Sequence, residues 1–577
     1  MAGSFVLVLH THLPYVIRHG RWPHGLEWLC EAAAECYIPL LNQCNELRDE
    51  GISPRITISF SPVLLEQLAD EDFPSLFEGF LNERIEAASK DVDYFRSRPD
   101  EREFVPVASF WQEWYRSRLQ DFTERYGRNL VAAFRDLRDA GAIAVQTCGA
   151  THGYFPLLGY DESIHGQVQV ALDVHWRHFN SRPRGIWMPE CAYRPGGFRK
   201  PPMPTDDVPD GYRLGVEQII AAGGMDHTVV DAHIVRAGEP VNWYVSRFTG
   251  KGGSEGSSGL PLDDPRSLYD IYKIYSSTDP AYGSVSVFAR DVDTALRVWS
   301  GSSGYPGNES YLEFHKKHHR SGHRYWRVTG KESDLADKRM YHPAAAREQV
   351  RRDAEDFVLH VERVMEEYRA ATGCEGTLTL PFDTELFGHW WFEGPLFVGE
   401  VIRLLSRRQR VQPRTTPEEI DRRGSGLSVT LPEGSWGDGG DHRVWLNEET
   451  AWTWPIIWKA ERQFLELVRS RNRENLLEER ALKQMGRELL LLQASDWQFL
   501  ITTGTATDYA EERIREHAEG LELIGDYVRS LRSGVERLDL FDELCRLETK
   551  DRLFPNLDLD HWVWKTAEEA LGAPREK

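Results

Sequence analysis

Cysteine is scarce: seven in 577 residues, an odd number with no Cys-x-x-Cys pair. That argues against a disulfide framework and reads as reduced thiols in a cytoplasmic protein. Long apolar runs are missing too; none approaches the ~20 residues of a membrane span. Strand-like sequence starts at Phe5 with no basic leader or cleavage site before it, so neither a signal peptide nor a membrane partner is expected. Basic residues are in deficit, with 69 Lys and Arg against 91 Asp and Glu and a formal net charge of −22. No Lys/Arg cluster is large enough to reverse that field, which argues against nucleic acid and for a neutral or cationic ligand. No internal repeat is present.

What remains is a chain long enough for a barrel-sized core plus an accessory domain, rich in Trp (19 residues). Gly185-Ile-Trp-Met-Pro-Glu190 is an apolar run that stops at a carboxylate and is followed by Arg194-Pro-Gly-Gly197, which no strand or helix would continue. Thr377-Leu-Thr-Leu-Pro-Phe382 has the same design and stops at Asp383, ahead of His389-Trp390-Trp391. Strand ends are where α/β folds collect ligands and catalytic groups. Two strand-end acids among aromatics suit glycoside chemistry, which needs two carboxyls flanking the glycosidic oxygen and flat apolar surfaces for sugar rings.

Phe5–Leu9 is a buried-strand run ending in His10-Thr-His12. Two readings stand for that histidine pair. One is a metal site of the kind carbohydrate deacetylases and some mannosidases build at strand ends. In the other, one His meets sugar hydroxyls while its neighbour packs behind; the lack of a further His/Asp set with ligand spacing favours this. Further strands are expected at 55–60, at 142–148 ending near His152, at 228–230 ending at Asp231, and at 284–289. Counting the Glu190 and Asp383 runs, seven strand candidates alternate with helical segments, the pattern of a (β/α) barrel. Residues 27–50 read as an amphipathic helix carrying Cys30, Cys36 and Cys44, and 72–128 as a mostly helical insertion within the barrel. From about residue 410 the character changes: a polar Pro/Arg linker, a Gly-rich loop around Trp436, then helices near 450–472, 475–493 and 507–532. The expected division is a catalytic barrel over 1–409 and a linker with a helical C-terminal domain over 410–577.

These stretches, with Gly149-Ala-Thr-His152-Gly-Tyr-Phe-Pro156 and Ser495-Asp496-Trp497, resemble the five motif regions of glycoside hydrolase family 57, in the family's order and over almost the whole chain. Trp22-Pro23, the segment from Trp299 to Gly307, Ser435-Trp436-Gly437 and Trp445 are similar to the family's 1,4-α-glucan branching members. The resemblance implies a (β/α)7 barrel with an inserted helical subdomain and a helical C-terminal domain. It also implies a retaining double displacement on an α-1,4-glucan, with no cofactor and no metal, that moves the cleaved chain to a 6-hydroxyl. Glu190 is then the nucleophile and Asp383 the general acid/base. His10, His12, His152 and Asp496 line the sugar cleft, and Trp22, Trp28, Trp299, Trp390, Trp436, Trp445 and Trp497 form its aromatic walls. The partner implied is an amylose- or glycogen-like polymer, met by a monomer or small homo-oligomer.

Glu190 must be ionised to attack, and a nearby His or Arg is expected to hold its pKa low. Asp383 must hold a proton and then release it, helped by desolvation from Trp390 and Trp391. One departure from the family stands out. The loop from Thr249 to Ser267 contains no aromatic residue where the branching members carry a tyrosine; the nearest is Tyr269. Three other readings remain: an α-glucan hydrolase or 4-α-glucanotransferase of the same family, a metal-dependent deacetylase or mannosidase using His10, His12 and Asp231, and a non-catalytic glucan-binding protein.

Overall fold

The computed structural model describes residues 2–21, 23–236, 270–279, 282–330, 332–424, 426 and 428–564. Seven parallel strands organise them: β1 (Gly3–Thr11), β2 (Ile56–Phe60), β3 (Ile143–Cys148), β4 (Ile186–Trp187), β5 (His227–Val230), β6 (Gly283–Ala289) and β7 (Gly376–Asp383). Strand β7 pairs β1, β1 pairs β2, β2 pairs β3, β3 pairs β4, and β5 pairs β6. Single parallel bridges, Gly185 to His227 and Arg290 to Thr379, span the two remaining seams. The strands therefore follow one another in ring order as a curled parallel sheet. β1 is buried along its whole length, as an apolar strand covered on both faces must be. At its foot Gly3 faces Gly376 so closely that a Cβ on Gly3 would collide with the Gly376 carbonyl.

The strand Tyr275–Asp279 was not expected. It runs antiparallel to β6 and fills the lower part of the seam beside β7, where Thr377 N–H donates to the Tyr272 carbonyl at 2.9 Å.

The stretch after residue 410 differs from the linker its composition suggests. Val411–Pro413 adds a parallel strand at the foot of β1, and Thr416–Arg423 is a helix with a Thr415/Glu418 capping box. The helix carries Glu419, fully buried, beneath the barrel. Glu419 accepts from Ser4 Oγ (2.8 Å) and Thr377 Oγ1 (2.6 Å) and pairs with Arg422 and Arg423 at 2.9 and 2.7 Å. The arginines that looked like linker polarity balance a buried charge.

The Leu26–Asp49 region is one helical run broken by a π-helical stretch at Ala33–Tyr37, and its three cysteines are buried. Helices Phe73–Arg96 and Val105–Gln120 pack on each other and dock through Trp111, whose indole N–H donates to the Arg324 carbonyl at 2.6 Å. Beyond the barrel lie Thr453–Arg469, Leu476–Leu492 and Thr507–Ser533, close to expectation, and two further helices, Asp496–Thr503 and Leu538–Lys550. Among the described residues no helix is long and apolar enough to cross a membrane.

Candidate active site

Strand β4 ends in a tight turn at Pro189–Cys191. Glu190 sits there at φ 60°, ψ 24°, and Cys191 at φ 47°, both in the left-handed region. Such a conformation costs a residue with a Cβ on the order of 1–3 kcal/mol and persists only where its surroundings over-determine it. Here they do. Cys191 N–H donates to the Met188 carbonyl at 2.8 Å, and residues 434–436 lie alongside like a strand. Tyr193 and Gly434 exchange main-chain hydrogen bonds of 2.8 and 3.0 Å, and Trp436 N–H donates to the Glu190 carbonyl at 3.1 Å.

The same segment holds the Glu190 side chain. The Trp436 indole N–H donates to Oε2 at 2.8 Å, while Ser495 Oγ lies 3.3 Å from Oε1. Glu190 is only 8 % exposed. Burial pushes its carboxyl up to about 7, against the pull of the Trp436 and Ser495 hydrogen bonds and of His12, with Asp496 adding to the rise. This corrects the expectation of a carboxylate held low by a cation. His152 Nδ1 is 3.8 Å away, but burial, with His12 and His10 beside it, holds that imidazole neutral, well below its ordinary range. Arg290 is committed elsewhere, ion-paired with Asp231 and lying 5.7 Å over the Trp436 ring.

Behind Glu190 stands a stack of rings. Trp187 lies on His10 (4.6 Å, 3°), His10 on His152 (5.0 Å), and His152 on His12 (4.1 Å). His10 Nε2 and His152 Nε2 are 3.0 Å apart, and His152 Nδ1 is 2.8 Å from Ser495 Oγ. With Glu190 ionised, donor counting fixes one arrangement. Ser495 gives its proton to Glu190, so His152 Nδ1–H donates to Ser495, and His10 Nε2–H donates to His152. A chain of neutral groups thus ends on the carboxylate. His12 is turned the other way, with Nδ1 2.8 Å from Ser61 Oγ and Nε2 3.1 Å from both Asp496 carboxylate oxygens.

Asp383 ends β7 in register with His10 on β1 and is half-buried. In the ring β7 stands across the mouth from β4. Its charge reaches the Glu190 turn: burial raises the Cys191 thiol, Arg290 offsets part of that, and Asp231, Glu190 and Asp383 add to the rise. The chain after Asp383 is pinned by Thr384 Oγ1 to Thr11 Oγ1 (2.7 Å) and by Tyr37 O–H donating to Glu385 (2.7 Å).

The expected aromatic walls divide. Trp28 and Trp390 are half-buried and present part of a ring. Trp299 is fully buried against Phe382 and Trp390, and Trp445 is buried in a 4.3 Å stack on Tyr154. Trp497 is a packing residue and not a wall. It has no exposed surface, its indole N–H donates to the Leu491 carbonyl at 2.8 Å, and Arg513 covers its face at 4.7 Å. Trp436 grips the Glu190 carboxylate, so its place is beside that acid and not out along the cleft wall. Trp22, the 249–267 loop and Tyr269 lie outside the described residues.

Ser495, Trp187 and Ser61 were not anticipated. Trp187 and Ser61 lie at strand ends, which was the available signal for them, whereas Ser495 sits at the start of the helix Asp496–Thr503 and its one signal was that it precedes Asp496.

Among the described residues, His12, His152 and Asp496 bring metal-ligating atoms within 4.8 Å of one another, as do His10, Cys148 and His152. Asp231, the acid of the metal reading, is instead buried in its pair with Arg290. Burial raises its carboxyl, but Arg290 and His233 more than offset that and leave it below the usual range. That reading thereby loses its third ligand.

Comparison with known proteins bears on the same residues. The profile of glycosyl hydrolase family 57 matches residues 6–424, and that of the 1,4-alpha-glucan branching enzyme C-terminal region matches 456–562. The chain is 39 % identical to the 1,4-alpha-glucan branching enzyme TK1436 of Thermococcus kodakarensis, over 96 % of this chain and 78 % of that protein. The crystal structure of that enzyme in complex with glucose superposes with a TM-score of 0.88 at 37 % identity, covering 98 % and 97 % of the two chains. The family 57 branching enzyme of Pyrococcus horikoshii gives 0.87 at 36 % identity with the same coverage. The alpha-amylase AmyC of Thermotoga maritima gives 0.79 at 28 % identity, covering 98 % and 100 %.

Proposed function

The chain belongs to glycosyl hydrolase family 57, and from that premise we propose that it is a retaining 1,4-α-glucan branching enzyme with Glu190 as nucleophile and Asp383 as general acid/base. In the first half-reaction Asp383 gives its proton to the glycosidic oxygen while a Glu190 carboxylate oxygen attacks the anomeric carbon. The C–O bond to the leaving chain breaks and a glycosyl ester forms. In the second, Asp383 takes the proton of a glucan 6-hydroxyl, whose oxygen attacks the same carbon, releases Glu190 and completes an α-1,6 linkage.

The observation that carries this reading is the Glu190 turn. A strained strand end holds a carboxylate by one indole N–H and one hydroxyl, across the barrel mouth from a second strand-end acid. With Glu190 ionised, the His10–His152–Ser495 chain turns the Ser495 proton toward the carboxylate and so helps hold the nucleophile in place. Of the expected aromatic walls, half-buried Trp28 and Trp390 are the ones that offer a ring to a sugar. We place the boundary between the barrel and the helical C-terminal region after Arg423, because Val411–Arg423 is built into the barrel floor.

A second reading, glucan hydrolysis, is favoured by one observation: the 249–267 segment carries no aromatic residue. Incubation with amylose, assayed for both new α-1,6 linkages and new reducing ends, separates the two. Branching predicts an excess of linkages. Reducing ends alone would replace it with hydrolysis.

A further inference from the structure

Two large aromatic side chains stand in the open near the nucleophile. Phe198 is 56 % and Tyr212 62 % exposed. They lie on the strands Gly197–Arg199 and Gly211–Arg213, an antiparallel ribbon in which they are direct cross-strand partners, so both rings leave from one face. The rings meet edge to face, 5.6 Å between centroids at 81°. The neighbouring positions of the ribbon hold it down. Arg213 donates to the Asp161 carboxylate (2.6 Å) and to the Gly159 and Leu158 carbonyls (2.6 and 3.2 Å), and Arg199 to Glu433 (2.6 Å) and the Pro195 carbonyl (3.0 Å). So short a ribbon has little stability of its own. The arginine anchors set its orientation, and that orientation leaves the aromatic pair facing out.

Position and charge narrow what would cover it. The ribbon begins four residues after Tyr193, which pairs with Gly434, and Arg199 is tied to Glu433, the residue before Gly434. It therefore stands at the rim of the mouth that holds Glu190. Its charges are already paired, Arg199 with Glu433, Lys200 with Asp210 and Arg213 with Asp161, which favours a neutral partner over an ionic one. A polymer does not end at its scissile bond; the chain has to leave the cleft over the rim.

We propose that Phe198 and Tyr212 form a binding platform for an α-glucan chain leaving the catalytic cleft, stacking on the apolar faces of its glucosyl rings and so favouring long chains over short ones. The inference rests on the glucan-acting reading above, and the test keeps the two apart. In the F198A/Y212A variant, kcat/KM on amylose should fall about five- to tenfold further than on maltohexaose, the loss of two stacking surfaces. The retardation of E190Q in amylose-containing native gels should weaken when F198A/Y212A is added, and an F198Y/Y212F swap should retain it. W176A removes an equally exposed aromatic (55 %) on another element and should change neither readout. Equal losses on both substrates, no loss on either, or a change of oligomeric state in place of glucan affinity would overturn the platform. Failure of the underlying reading shows instead in the unmodified enzyme, which would then act on no α-1,4-glucan.

Discussion

Replacing Glu190 with Gln should abolish turnover and stabilise the protein, by an amount that depends on pH. Glu190 is 8 % exposed, and burial pushes its carboxyl up to about 7 from an ordinary value of 4.5. The folded state therefore holds its proton more tightly than the unfolded chain does. Below pH 4.5 both states are protonated and Glu190 costs nothing. As pH rises through 7 the native state must ionise a buried group, and the cost grows to ~3 kcal/mol, the free-energy equivalent of the rise from 4.5 to about 7. Gln keeps the shape and stays neutral. Its carbonyl accepts from Trp436, and its amide donates to Ser495, whose own proton can then go to His152. The stabilisation of E190Q over wild type should be under about 1 kcal/mol at pH 5 and ~3 kcal/mol at pH 8. At about 2.1 cal/mol/K of unfolding entropy per residue, 577 residues convert ~3 kcal/mol into about 3 °C. Thermal melts of both proteins at pH 5 and pH 8, at one scan rate because large chains unfold irreversibly, read the difference directly. A pH-independent offset, or an E190Q that melts lower at pH 8, would refute the buried, proton-retaining carboxyl.

Other perturbations test the neighbouring groups. W436F removes the indole N–H from Glu190 while keeping a ring; losing a hydrogen bond to a charged group is worth ~1.5–3 kcal/mol, or about 10- to 150-fold in kcat/KM. New α-1,6 linkages and new reducing ends should fall together, whereas a selective loss of linkages would put Trp436 on the path of the acceptor chain instead. D383N should lower kcat by about 10²–10⁴ and regain part of its rate with azide on substrates with good leaving groups; a variant as active as wild type would remove Asp383 from the chemistry. Activity should survive prolonged EDTA. Loss that zinc restores would put a metal on His12, His152 and Asp496.

The barrel was largely legible because strands covered on both faces read as apolar runs, and all seven such runs became strands of the ring. What misled was polarity. Tyr275–Asp279 spells Tyr-Ser-Ser-Thr-Asp, which sequence reads as loop, yet its main chain is satisfied by β6. The Arg-rich stretch after 410 resembled a linker because a sequence does not reveal that Glu419 is buried among its arginines. The helix Leu538–Lys550 carries a readable period in Leu540, Leu544 and Leu547 but fell beyond the expected elements. At the site, the strand-end placement of Glu190 and Asp383 was legible because a strand end is a topological position. The tryptophans could not be sorted. A Trp that walls a cleft and a Trp that fills a core are the same letter, and only packing separates Trp390 from Trp497. Ser495 gave still less signal, since its role comes from two partners 343 and 305 residues away in sequence, His152 and Glu190.

Those separations bear on what the C-terminal part of the chain is for. Every described hydrogen bond to the Glu190 carboxylate comes from beyond the barrel strands, one from Trp436 and one from Ser495. The same 434–436 segment closes the main-chain bonds that hold Glu190 and Cys191 in the left-handed region. Without it, two strained residues costing on the order of 1–3 kcal/mol each would lose their restraint, and the carboxylate would lose both of its donors. Its burial would fall as well, but so would its aim, and a carboxylate can act as a nucleophile only when held within a few tenths of an ångström of its attack position. A barrel ending at Arg423 would therefore keep both acids in its sequence without presenting them as a pair. With Glu190 as the nucleophile proposed above, the C-terminal segment becomes part of the catalytic apparatus, and the strained turn is the joint through which it acts.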